Sequence, residues 1–152
     1  MKKFKNINDI LDFAIRDEQR ASDLYNDLAK KAKSKGMREV FEQFSREELG
    51  HKKKLEVIKA SKTAMFSKEV VQDLKIGDYL IEVDKSRDDL SYQDALIIAM
   101  KEEKAAFRLY LNLSNQTDDA ELKQVFLMLA QEEAKHKLRF EIEYDNNILK
   151  DN

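Results

Sequence analysis

The sequence predicts an all-α fold: an antiparallel four-helix bundle built from two repeated helical hairpins joined by a long crossover. Three observations lead there. The 152 residues include no Pro and only three Gly, so little in the chain interrupts helices. Apolar residues recur at spacings of three and four along four stretches, which is the period of one helix face. The second half also repeats the first at a constant offset of 85 residues, with 15 identities over the 51 positions from residue 6 to 56. Asp9 meets Asp94, Glu18 meets Glu103, Tyr25 meets Tyr110, Phe41 meets Phe126, Glu48 meets Glu133 and His51 meets His136. Shared helical propensity can match apolar positions, but it has no reason to match Glu, Tyr and His. The hairpins are two copies of one unit.

The first helix is expected from Asn6, a candidate N-cap with Asp9 at the third helical position, to about Lys33. Its buried stripe reads Ala14, Glu18, Ala21, Tyr25, Leu28, and Lys-rich residues with Gly36 then break the pattern. A second helix from about Met37 to Ala60 carries Phe41, Phe44, Glu48, His51, Leu55 and Ile58. So short a link makes the pair an antiparallel hairpin. Residues 63–90 read as the crossover, with a short helix capped by Ser67 and ended at Gly77. A segment of that length easily spans the ~36 Å of a 24-residue helix. Ser91 opens the third helix with Asp94 completing a capping box, and its stripe is Ala99, Glu103, Ala106, Tyr110 and Leu113. After a turn in which Asp118 is the expected cap, the fourth helix runs from Ala120 towards Ile148 and carries Phe126, Leu129, Glu133, His136 and Phe140. Residues 1–152 are expected to form one domain.

Composition narrows the function classes. Charged residues make up 38% and hydrophobic residues 42%, with a net charge of -2 and both signs interleaved. That balance excludes a disordered polyelectrolyte and offers no basic footprint for nucleic acid. The absence of Cys excludes disulfides, thiol chemistry and Cys-ligated metals. No signal-like or membrane-spanning run is present, so a cytoplasmic protein without membrane partners is expected.

The chemistry lies in six polar residues that interrupt the apolar stripes: Glu18, Glu48, His51, Glu103, Glu133 and His136. The chain has only two His, and each follows a Glu by three positions, which sets carboxylate and imidazole side by side on a helix face. An ionised carboxylate facing a core costs several kcal/mol unless compensated. No Lys or Arg falls on these stripes, so cations must come from elsewhere. Two divalent ions would cancel the charge of four carboxylates and two neutral imidazoles. Oxygen donors with imidazole favour iron or manganese, and zinc also accepts them. Asp17, Glu47, Glu102 and Glu132 sit about 100° off the stripe and read as solvated or ion-paired, so replacing Glu47 is expected to change little.

With those residues in view, the sequence resembles the ferritin-like carboxylate-bridged dimetal proteins, and most closely the rubrerythrin family. Glu18 with Tyr25, Glu48 with His51, Glu103 with Tyr110, and Glu133 with His136 carry the resemblance. It implies two iron ions bridged by Glu48 and Glu133. Glu18 and His51 would complete one ion, Glu103 and His136 the other. Tyr25 and Tyr110 would donate hydrogen bonds to carboxylates. Rubrerythrins usually carry a further Glu three residues beyond the third-helix ligand, which exchanges with His as iron changes oxidation state. Here that position is Ala106. The family's common rubredoxin-like domain needs four Cys, and with none here electrons must come from a separate donor protein.

No second domain is expected to hold a large substrate, which points to a small one, and the resemblance implies a redox enzyme that reduces hydrogen peroxide in oxidative-stress defence. Dioxygen is the other small oxidant. A ferroxidase or iron-binding protein without sustained turnover is the alternative, and a structural bundle with vestigial acids is a third reading. A homodimer is the expected assembly.

Overall fold

Alternating stripes of the kind just described can be buried only against one another, and a computed structural model describing residues 7–61 and 91–151 shows four helices doing so. They are α1 (Ile7–Lys31), α2 (Lys35–Ser61), α3 (Tyr92–Asn115) and α4 (Ala120–Asp151). No β-strand occurs among the described residues. Asp12 pairs with Lys59 and Ser22 with Ser45, so α1 and α2 run antiparallel. Tyr92 donates to Glu143 at 2.5 Å while Tyr110 stacks on Phe126, which makes α3 and α4 antiparallel as well. The two hairpins then pack with α1 against α3.

Two apolar clusters make up the core, one towards each end of the bundle. The first gathers Leu11, Leu55, Ile58, Leu113, Phe126 and Leu129, and the second Leu28, Met37, Phe41, Leu96, Ala99 and Phe140. Every helix passes from one cluster to the other, and the six polar stripe residues fall between them. The last turns of α2 lie in the first cluster and the start of α3 in the second, so the connection joins opposite ends of the bundle. The expected crossover at 63–90, its short helix and the Asn6 cap lie outside the described residues.

Helix starts follow local side-chain bonds, two of them misplaced by sequence reading. Ser91 caps α3 as expected, accepting from the Asp94 amide at 3.0 Å. On α4 the cap is Asp119, not Asp118: its carboxylate accepts from the Leu122 amide at 2.7 Å. Gly36 does not break the pattern either. Ser34 accepts from the Met37 amide at 3.1 Å, so α2 already begins at Lys35 and Gly36 occupies its first turn. A serine able to satisfy a free amide outweighs one glycine's cost of about 1 kcal/mol.

Candidate metal centre

Because each stripe alternates three and four, a residue in mid-helix points at the bundle axis, and the six stripe residues meet there from all four helices. Glu18 comes from α1, Glu48 and His51 from α2, Glu103 from α3, and Glu133 and His136 from α4. All are buried, Glu48 completely. Their ligand atoms form two groups, each with its members within 4.8 Å of one another: Glu18, Glu48, His51 and Glu133, and Glu48, Glu103, Glu133 and His136. Glu48 and Glu133 belong to both.

Both imidazoles turn Nδ1 inward. His51 Nδ1 lies 3.0 Å from Glu133, 3.5 Å from Glu18 and 3.6 Å from Glu48. His136 Nδ1 lies 2.9 Å from Glu48, 3.6 Å from Glu103 and 3.8 Å from Glu133. Each Nε2 turns outward onto a carboxylate of the other hairpin, His51 onto Glu132 and His136 onto Glu47 at 2.7 Å. These two pairs are related by the 85-residue repeat. A carboxylate there holds a proton on Nε2, so that Nδ1, facing the interior, is the nitrogen that can ligate a cation once deprotonated.

That arrangement corrects the reading of the acids beside the stripe. Asp17 and Glu102 are ion-paired as expected, both to Arg20 at 3.1 Å. Glu47 and Glu132 are instead the groups that orient the two imidazoles. Nothing in one hairpin reveals this, because each acts on the histidine of the other. The tyrosines cross too: Tyr25 donates to Glu103 and Tyr110 to Glu18, rather than to the glutamate on their own helix.

The electrostatics are those of crowded anions in a dry place. Burial, then the neighbouring carboxylates, pushes Glu48 and Glu133 well above the ordinary carboxylate range. Burial alone would lower His51, but the Glu133 and Glu18 carboxylates beside its Nδ1 favour the imidazolium, raising it to about 11. His136 is raised likewise, Glu103 and Glu47 outweighing the burial that opposes them. Burial, with Glu103 beside one and Glu18 beside the other, raises both tyrosines, so their hydroxyls stay protonated donors.

Comparison with known proteins agrees with this geometry. Residues 9–144 match the family model described as rubrerythrin. The chain belongs to the rubrerythrin family. It is also similar to a crystal structure from Thermotoga maritima, described provisionally as a ferritin-like diiron-carboxylate protein, with a TM-score of 0.76 at 20% identity over 97% of this chain and 99% of that one. That likeness establishes the ferritin-like fold. No curated protein matches.

Whether these residues fit a metal pair can be judged from their unsatisfied atoms. Neither oxygen of Glu48 makes a directed hydrogen bond, nor does one oxygen each of Glu18, Glu103 and Glu133, nor Nδ1 of either histidine. Buried polar atoms are rarely left so. Among the described residues no Lys or Arg pairs with any of the four glutamates. The orphaned atoms all face one another, and they are the hard-oxygen and imidazole donors that iron and manganese take. The cluster fits a dimetal site. Ala106 lines a cavity of about 20 Å³ beside it.

Proposed function

We propose that the protein is a non-haem di-iron enzyme that reduces hydrogen peroxide, drawing electrons from a separate donor protein in the cytoplasm. The observation that carries this reading is the set of orphaned carboxylate and imidazole atoms, the four carboxylates among them lining a cavity with room for about one water-sized molecule. Two irons held there would supply one electron each, so that peroxide and two protons become two waters.

The chain's own residues prepare that step. Glu48 and Glu133, common to both ligand groups, would bridge the ions. Glu18 with His51, and Glu103 with His136, would complete one each. Glu132 and Glu47 aim the imidazoles, and the Tyr110 and Tyr25 hydroxyls hold the Glu18 and Glu103 carboxylates in place. The two apolar clusters keep bulk water from both ends of the belt. Manganese suits the same donors.

A ferroxidase or iron-binding role is the second reading, favoured by Ala106, which removes one ligand that relatives use. Rapid mixing separates the two. Protein loaded anaerobically with ferrous iron is mixed with peroxide or dioxygen, then offered a small electron donor. Oxidation faster with peroxide, followed by repeated re-reduction, supports the enzyme. A single oxidation followed by iron release supports the alternative.

A further inference from the structure

The two flanks of the centre differ. On the α2–α4 flank the imidazoles shut it, their side chains only 3% and 4% exposed and clasped by Glu132 and Glu47. On the α1–α3 flank the cavity reaches outward from Glu18, Glu48, Glu103 and Glu133. Its walls along the seam include Ala14, Ala21, Ala105 and Ala106, four side chains too short to meet across it. At its outer end stands Arg20, with Asp17 on one side and Glu102 on the other.

Arg20 is not explained by the ligand set or by the repeat. Its counterpart 85 residues on is Ala105, so a guanidinium stands on α1 where α3 offers a methyl group. Its side chain is 27% exposed, Asp17 is 31% exposed, and Glu102 is buried at 7% with neither oxygen in a directed hydrogen bond. The pair with Asp17 is partly solvated and costs little to break, and when the guanidinium swings out, water must replace it beside the buried Glu102. Glu102 then faces the cavity, and a polar path connects solvent to the glutamates.

We propose that the α1–α3 seam is the route by which a small neutral oxidant reaches the centre, with Arg20 as its gate and Ala106 keeping the passage open. The proposal rests on the dimetal reading above. It also assigns Ala106 a purpose: a longer side chain there would fill the space through which the oxidant passes. A cavity with room for about one water-sized molecule favours the smallest neutral molecules, such as peroxide and dioxygen, over bulkier ones.

The test uses the full chain loaded anaerobically with ferrous iron, and nitric oxide as a neutral diatomic probe. Iron content per chain checks the dimetal reading; a parent chain that takes up none ends both ideas. The rate at which nitric oxide changes the absorption spectrum checks the route alone. Arg20→Ala is expected to bind nitric oxide faster than the parent, and Ala106→Leu more slowly, at unchanged iron content. An unaltered rate in iron-loaded Ala106→Leu would overturn the route, and an unaltered rate in Arg20→Ala would overturn the gate. Should Ala106→Leu fail to load iron, Ala106→Val takes its place under the same criterion.

Discussion

A carboxylate deprived of water must be protonated, paired or bound to a cation, and among the described residues Glu48 has no directed hydrogen bond and no Lys or Arg beside it, only the two imidazoles. Stripe spacing was enough to find it and the other five ligand candidates, because a Glu or His in a run of Phe, Leu and Ile declares its own burial. Glu47 and Glu132 were illegible for a geometric reason. They stand one residue off the stripe, half out in solvent, and their partners lie on the opposite hairpin. A sequence reports the face a residue occupies, not which helix the fold brings opposite. Loss of a carboxylate that orients a ligating histidine typically weakens metal binding about 10–100-fold. Glu47→Ala and Glu132→Ala are each expected to fall in that range in competition with a chelator. Glu39→Ala, which removes only an exposed pair with Lys35, should leave affinity unchanged.

Element boundaries were legible where the capping residue was unambiguous. Ser91 stood alone before its apolar run, whereas the fourth helix is preceded by two adjacent aspartates and the expected cap, Asp118, was one residue early. Only coordinates show which carboxylate reaches an amide. Asp119→Ala should therefore cost about 1 kcal/mol in denaturant melts, and Asp118→Ala less than about 0.5 kcal/mol. The Gly36 misreading has the same source: a weak helix residue is tolerated one position inside a well-capped start. Packing between elements is a stronger term. Phe41 is fully buried against Phe140 and Tyr92 in the second cluster, so Phe41→Ala should cost about 3–5 kcal/mol by the same measurement.

Across the whole molecule, the 85-residue repeat becomes a pseudo-twofold exchange in which each hairpin completes the other's half of the centre. Tyr25 with Glu103 mirrors Tyr110 with Glu18, and His51 with Glu132 mirrors His136 with Glu47. Identities across the repeat announced two equivalent units, but not that their contacts would cross. Concentrating anions between two apolar clusters has a consequence for stability. Without metal, Glu48 and Glu133 titrate well above 4.5, and His51 rises from 6.5 to about 11, whereas Glu18 is lowered and opposes them. The folded metal-free state thus binds more protons than the unfolded one above about pH 4.5, and its stability falls as pH rises. Metal needs the deprotonated ligands, so its affinity, and the stability it adds, rise with pH and its uptake releases protons. Chelator-stripped protein should have a lower Tm at about pH 8 than at about pH 5, and loading with metal should raise Tm most at the higher pH. The most direct measurement is an anaerobic ferrous titration of the parent chain and of Glu48→Ala combined with Glu133→Ala. A dimetal centre predicts two irons per parent chain and loss of both in the double variant. A parent that binds none, or a double variant that keeps both, would contradict it.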